Sequence, residues 1–522
     1  MRPLLGLLAR RYAAWTTAWL FIVGTLVVVT LPAYASTYPD DGARRVAVEL
    51  AQKNAATTLL YGHLADPGSP GQMFGWEIGT FVTLLVAVLG VLMAVRLTRV
   101  AEQEGTIEII RSAGLGHLAP LTATFVVLAV VGALLGLVSA AGVGLRAGKV
   151  DGVDWAGSLA FGSVVALTFL LMALITVILA QLLPTAWSAR VAGALALAGG
   201  FAIRAAADAQ DHPWLHRITP LGLRATVEPF TSNSPVPLVV SFLVVILLAV
   251  VATALERSRE LGGSILRVST TRVRRLRVSS PLALAWRLGR ATTLWWVAGI
   301  ALGGALFTAM GSSVVETARQ GQLSGGFLGS QLAGGDPGSA YLGFIGTVVA
   351  IVVVASGILF TLEAVTEERR GPGEYLRATG TSPARVLAGH LGVALIVSAL
   401  ALGSTAALIA IAAPQAVSGP GVSGEAFQQV IGQWSGVLVL LAPPILLAGW
   451  SPRLAWLGWI PYAAGVVLAL LGTLLGLPQA LIDLGAFDLA HGVLTPLIRL
   501  TVFAITVGVG LWAVGRRDLT PG

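Results

Sequence analysis

The 522-residue sequence contains no cysteine, only two lysines and few charged residues of either sign. Without cysteine, a disulfide framework, a thiolate metal site and a cysteine nucleophile are all excluded. Charged residues make up 11% of the chain, whereas soluble domains have about 25%. This scarcity, together with a mean hydropathy of +0.83, argues against a soluble enzyme, a nucleic-acid-binding protein and a disordered scaffold. The composition therefore predicts an all-α polytopic membrane protein.

Twelve apolar stretches approach or exceed the roughly 20 residues that a membrane-spanning helix needs. They are residues 15–34, 77–97, 119–145, 156–183, 190–207, 236–255, 292–310, 341–362, 387–412, 433–450, 454–476 and 495–514. An even number of spans puts both termini on one side, and the segments on that side hold most of the 33 lysines and arginines. Basic residues concentrate on the cytoplasmic side and contact anionic lipid there. We therefore expect a multi-pass plasma-membrane protein with both termini in the cytoplasm.

Three groups of residues recur in the second half of the chain, in the same order and at the same places in the predicted topology. The group around Trp19 recurs around Trp295, and Thr219-Pro220-Leu221 recurs at Thr495, both at an offset of 276. A third group matches at 266. These matches predict a first six-span half at 1–256, a basic cytoplasmic linker at 257–290 and a second six-span half at 291–522. Because six is even, we expect the two tandem repeats to be related by a pseudo-twofold axis along the membrane normal.

The third group lies in the predicted cytoplasmic segment after the second span of each half. In this group a glutamate and an arginine stand three residues apart after a glycine, so both charges share one face of a short amphipathic helix. Such a helix can dock into a groove of a cytosolic protein through an apolar anchor and a charged rim, although it can also rest on lipid headgroups. The candidate docking residues are Glu102, Glu104, Gly105, Glu108 and Arg111, and Glu367, Glu368, Gly371, Glu374 and Arg377.

This segment resembles the coupling-helix region of ABC-2-type exporter permeases. The fused twelve-span layout, with Thr-Pro-Leu before the last span of each half, is similar to the actinobacterial polyketide and tetronasin-resistance permeases. The resemblance implies a membrane permease subunit that moves hydrophobic or amphipathic compounds, such as antibiotics, drugs or lipid-like molecules, out of the cell. It also implies two copies of a cytosolic ABC ATPase that contact the candidate docking residues. Pro372 and Gly373 depart from the first copy, and they put in doubt whether both coupling elements are equally helical.

The ATPase itself is not expected in this chain. Gln322 precedes a Leu-Ser-Gly-Gly run that resembles the ABC ATPase signature, but the topology puts this run outside and a phenylalanine, Phe327, follows it. Neither Lys53 nor Lys149 lies in a phosphate loop of the G-x-x-x-x-G-K-[ST] type. We therefore expect a transport subunit that is not an enzyme and holds no cofactor, with ATP and Mg²⁺ bound by the partner ATPase.

Two further groups of residues suggest other chemistry. Asp40 and Asp41 stand where integral-membrane glycosyltransferases carry an acidic pair, but the second half has no equivalent acids. The sequence also contains four side chains of types that ligate metals, Asp208, Asp211, His212 and His216. Pro213 interrupts the helical register that two histidines four apart would need, so a capped surface loop without metal is the expectation.

Two alternative functions remain open from the sequence, a proton-coupled secondary transporter of the twelve-span type and, with less support, a glycosyltransferase. A proton-coupled transporter needs a titratable relay inside the membrane, and no acid falls near the middle of any predicted span. The spans instead offer alanine, glycine, valine, leucine and aromatic surfaces, which suit an apolar or amphipathic compound. Such surfaces carry no directional polar pattern, so the sequence singles out no substrate-contacting residue.

Overall fold

The computed structural model describes residues 2–37, 41–53, 55–260, 263–265, 278–309, 311–319, 331–332, 335–369, 380–472, 477–482, 485–487 and 494–517. Every regular element in these ranges is a helix, which confirms the all-α prediction. Eleven helices are long and apolar enough to cross a membrane, and Ala455–Leu470 is a shorter apolar helix. These twelve apolar helices agree with the predicted count and make the chain a polytopic membrane protein.

The chain divides into two compact units, Met1–Arg272 and Val273–Gly522. In unit 1 the helices are α1 (Arg2–Thr37), α2 (Asp41–Lys53), α3 (Ala55–Tyr61), α4 (Pro70–Val95), α5 (Ala101–Gln103), α6 (Thr106–Ser112), α7 (Ala119–Gly144), α8 (Trp155–Leu182), α9 (Ala186–Ala209), α10 (Leu223–Val227) and α11 (Pro235–Arg257). A π-helical turn, Arg96–Val100, joins α4 to α5.

Unit 1 is organised around α8. Asp154 begins this helix because its carboxylate accepts a 2.7 Å hydrogen bond from the backbone N–H of Gly157. The helix then packs against α4, α7, α9 and α11, and its Phe161 and Phe169 are fully buried in the main apolar cluster of the unit. The unit therefore has its core along α8.

Small residues let α7 and α8 approach closely. A Cβ atom added at Gly136 would lie 2.7 Å from the carbonyl oxygen of Gly162, and one added at Gly162 would overlap the carbonyl oxygen of Gly136. Close backbone approach at glycines is the usual way in which helices associate inside a membrane, where lipid removes the hydrophobic driving force. These two glycines fix where α7 and α8 cross.

In the described part of unit 2, five helices are long and several are shorter. The long helices are Pro281–Ala309, Pro337–Arg369, Pro383–Ala416, Trp434–Trp450 and Leu494–Arg516. The shorter ones are Gly311–Arg319, Val422–Ile431, Trp459–Leu471 and Gln479–Ile482. Pro281–Ala309 packs along Pro383–Ala416, while Trp434–Trp450 packs along Leu494–Arg516.

Several predicted spans differ from the helices; the seventh, for example, was expected at 292–310, but its helix begins at Pro281. The first was expected at 15–34, but α1 already begins at Arg2. A helix can extend beyond its apolar stretch into polar surroundings, and here Arg10 and Arg11 lie in that extension. The eleventh was expected at 454–476, but the helix there is Trp459–Leu471 after a 3₁₀ turn, so it is shorter than the roughly 20 residues of a full span.

Candidate functional site

The segment after α4 contains the first half of the candidate docking residues. The chain continues from α4 through the π turn into α5, and it breaks at Gly105, whose φ of 73° lies in the left-handed region. The short helix α6 follows, and Gly114, with φ of 81°, comes after its end. In unit 2 the matching glycine, Gly380, also has a positive φ, 77°. The predicted short helix is therefore present in unit 1.

Glu102 holds this segment to the rest of unit 1 through a buried ion-pair network. Its carboxylate accepts hydrogen bonds from Arg99 at 2.9 Å and from Arg259 at 3.0 Å. The Arg99 guanidinium also donates to the carbonyl oxygens of Ala180 at 2.6 Å and Gly263 at 2.7 Å. The side chains of Glu102, Arg99 and Arg259 are only 5%, 2% and 7% exposed. Glu102 is thus a contact inside the unit and presents almost no surface to a partner.

Arg111 attaches the far end of α6. Its guanidinium donates to the Glu256 carboxylate of α11 at 3.2 Å, and Arg259 donates to the same carboxylate at 3.1 Å. On the inner side of α6, Ile107 is buried. The ion pair and the apolar contact together fix the face of the helix that is turned toward unit 1.

Glu104 makes a third connection, to the first span. Its carboxylate accepts a 2.9 Å hydrogen bond from Arg11 of α1. Both side chains are about one-third or more exposed, 34% for Glu104 and 41% for Arg11, so this pair adds little stability. It nevertheless places the N-terminal part of α1 beside the candidate docking residues.

The outer face of α6 presents a small mixed surface. Glu108 is exposed, and Ile109 beside it is 71% exposed. An isoleucine this exposed on a helix whose opposite face is fixed by ion pairs gives an apolar anchor next to a negative charge. Of the five candidate docking residues in unit 1, Glu108 is the one that the geometry leaves facing outward with such an anchor.

In unit 2 the structure describes two of the five candidates. Glu368 accepts two hydrogen bonds from Arg517, at 2.8 and 2.6 Å, and each side chain is 15% exposed. Glu367 lies 3.4 Å from the Nε2 atom of His390. The other three candidates, Gly371, Glu374 and Arg377, lie outside the described residues.

The two units share one arrangement that sequence reasoning missed. Glu102 and Glu368 match in the repeat, and each pairs with an arginine that directly follows the last span of its own unit, Arg259 after α11 and Arg517 after Leu494–Arg516. Sequence reasoning treated both glutamates as partner-facing. The signal that could have corrected this is an arginine one or two residues beyond the final span of each half.

The other candidate groups are placed differently from expectation. Among the described residues no group of three or more His, Asp or Glu side chains could hold a metal ion. The surface-loop interpretation of Asp208 and His216 is wrong, however, because their side chains are 6% and 9% exposed and lie 3.2 Å apart. Asp41 is exposed and pairs with Arg44. Asp40 and the Leu-Ser-Gly-Gly run at 323–326 lie outside the described residues.

Comparison with known proteins identifies the family. The chain is 30% identical to the multidrug efflux system permease protein Rv1217c of Mycobacterium tuberculosis (strain ATCC 25618 / H37Rv), over an alignment that covers 99% of this chain and 94% of the relative. The chain belongs to the Rv1217c family of multidrug efflux permeases. A family model for the C-terminal domain of these permeases matches residues 278–516. The predicted resemblance to exporter permeases is confirmed, and the permease is a transport subunit with a multi-pass membrane fold.

Proposed function

We propose that this permease is driven by ATP and moves hydrophobic or amphipathic compounds out of the cell. The observation that carries the proposal is the two-sided character of α6, whose inner face is fixed by Ile107 and Arg111 while Glu108 and Ile109 face outward. An apolar anchor beside a charge suits a groove on a cytosolic protein. Membership of a multidrug efflux family supports the choice of an exporter.

The proposed partner is a soluble ATPase present in two copies, which would hold the ATP and Mg²⁺. Each unit carries an acidic residue at the end of its second span that is tied to its own last span, and this supports one ATPase contact for each unit. Basic residues are more numerous on the side of the membrane that holds the termini, and this supports a cytoplasmic location for both ATPase contacts. The candidate docking residues would then face the compartment in which the ATPase is found.

Closure of the ATPase can move a span only if the permease contacts its open and closed states differently. The contacts around α6 offer a route, because Glu102 and Arg111 connect the helix to α11 and to the chain just beyond it. A displacement of α6 would reach the last span of unit 1 through these ion pairs. In unit 2 the pair between Glu368 and Arg517 supplies the corresponding connection.

The energy source distinguishes this proposal from a proton-coupled transporter. In inverted membrane vesicles that contain the permease and its partner ATPase, identified by co-purification, we expect accumulation of a fluorescent apolar drug to require ATP and to stop with vanadate. A protonophore should leave the initial rate unchanged. Accumulation that persists without ATP and collapses with the protonophore would establish the secondary transporter instead.

The duplication predicts the composition of the complex. The chain divides into two compact units, and if each is one six-span repeat, the purified complex should contain one permease and two ATPase subunits. Native mass spectrometry or light scattering of the detergent-solubilised complex measures this ratio directly. A ratio of two permeases to two ATPases would contradict the fused-dimer interpretation.

A further inference from the structure

Unit 1 contains a second polar site, at the end remote from α6. A cavity of about 620 Å³ lies between the segment that precedes α4, the end of α9 and the loop that leads to α11. Since α4 begins at this cavity and runs to the π turn before α6, one helix length separates the two sites. The cavity therefore takes no part in the contacts around α6.

Buried polar side chains form one wall of the cavity. Asp208 lies 3.2 Å from the Nε2 atom of His216 and 3.6 Å from the Nε atom of Arg204, and all three side chains are at most 9% exposed. The Oδ2 atom of Asp208 and the Nδ1 atom of His216 have no hydrogen-bond partner among the described residues. A buried polar atom without a partner costs free energy, so this wall has unused hydrogen-bonding capacity.

Two hydrogen-bond donors beside the cavity, on Arg224 and Trp76, already have acceptors. Arg224 donates to the carbonyl oxygens of Tyr61 and Gly75. Burial, reinforced by neighbouring Arg204, lowers the pKa of Arg224 to about 10, so it still carries its charge at neutral pH. The Nε1 atom of Trp76 donates to a backbone carbonyl at 2.8 Å, which leaves the ring itself as the part of Trp76 that a ligand can meet.

The cavity also offers hydrogen-bond acceptors. Three carboxylates, those of Asp208, Asp211 and Glu228, line it, whereas the guanidinium of Arg224 lines it and that of Arg204 lies behind Asp208. These groups together keep a net negative charge when the histidines are neutral. Asp211 and Glu228 are exposed on the rim and are held at positive φ, 52° and 51°. Non-glycine residues seldom adopt such a backbone, and it tends to occur at functional sites.

We propose that this cavity binds the cationic nitrogen group of an amphipathic organic compound, such as an amidinium, guanidinium or primary ammonium. The group would donate hydrogen bonds to the rim carboxylates and to the Oδ2 atom of Asp208, which lies 3.6 Å from Arg204 but accepts no hydrogen bond, while the aromatic ring of Trp76 accommodates the adjoining apolar part. An anion is disfavoured because the carboxylates at the cavity outnumber the guanidiniums beside it. That the bound compound is one that the permease exports rests on the proposed function.

Binding to the isolated permease tests the proposal. Calorimetric titration of the nanodisc-embedded chain with benzamidine, and with its neutral isostere benzamide, should show a Kd for benzamidine at least tenfold lower. In the Asp211→Asn/Glu228→Gln double variant, the Kd for benzamidine should rise about tenfold, since charge-assisted hydrogen bonds are lost. Glu260→Gln/Glu425→Gln removes two carboxylates outside the cavity and should leave this Kd unchanged. The single variant Asp211→Asn provides a milder test, because asparagine also accepts positive φ.

Equal affinity for benzamidine and benzamide, or an unchanged Kd in both rim variants, would overturn the proposal. The measurement needs neither the ATPase nor ATP, so its failure leaves the proposed coupling unaffected. Conversely, a permease carrying Glu108→Lys should bind benzamidine with the wild-type Kd even if it no longer exports.

Discussion

Replacing Glu108 by lysine should reduce ATP-driven export at least tenfold while leaving the permease folded. The side chain is exposed on the outer face of α6, and exposed substitutions usually change stability by no more than about 0.5 kcal/mol. Reversal of a charge at an interface nevertheless replaces an attraction with a repulsion. Combined with Glu374→Lys, it should abolish both efflux and drug-stimulated ATPase activity. Transport and ATP hydrolysis are measured together in proteoliposomes.

Glu260→Lys is the matched control, since it reverses an exposed carboxylate just beyond α11 and should retain both activities. The two single variants also test an asymmetry. Because Pro372 disfavours a helix in the second segment, Glu108→Lys should impair export more than Glu374→Lys does. Equal losses would remove the asymmetry, and normal efflux with normal ATPase stimulation in the double variant would contradict the assignment of these segments.

Glu368→Arg should both destabilise the permease and stop export, and adding Arg517→Glu should restore most of each. The wild-type carboxylate and guanidinium form two hydrogen bonds with little exposure. Loss of one partner of a fully buried pair costs about 3–5 kcal/mol, and this partly exposed pair should lose less. Exchange of the two charges recreates the pair in the opposite direction. A double-mutant cycle on thermal unfolding and on efflux measures the coupling.

The corresponding exchange in unit 1 should fail. Arg259→Glu cannot rescue Glu102→Arg, because Arg99 also donates to Glu102 and has only 2% of its side chain exposed. The exchanged residue would leave two buried guanidiniums in contact. A Glu368/Arg517 double variant no better than Glu368→Arg, or a full rescue at Glu102, would contradict this description of the two networks.

The fold followed from hydropathy, because a bilayer requires long apolar helices and these are visible in any sequence window. Only part of the candidate site could be predicted from the sequence. Gly105 could be placed at the start of a short helix from local pattern alone. The prediction that Glu108 and Arg111 share one face of this helix is wrong, because Arg111 pairs with Glu256 on the inner side whereas Glu108 is exposed. The partners of Glu102 could not be inferred, since Arg259 is 157 residues away and no local periodicity relates two ends of different spans.

The buried polar wall of the cavity could not be predicted from the sequence, for a similar reason. Pro213 correctly argued against a continuous helix through Asp208 and His216, and a 3₁₀ turn, Pro213–Ile218, does follow α9. The turn nevertheless returns His216 to within 3.2 Å of Asp208. A break in helical register was taken as exposure, whereas here it is the means by which two side chains become buried together.

The attachment of α6 at both ends has a mechanical consequence. No neighbouring atom lies within 4 Å of the Cβ atom that another residue would carry at Gly105. A helix attached to the unit only at this glycine could therefore rotate when a force acts on it. Arg111 clamps the other end to Glu256. Because α6 is held at both ends, a force on Glu108 would not simply rotate this helix. It would act on α4 at one end of α6 and on α11 at the other.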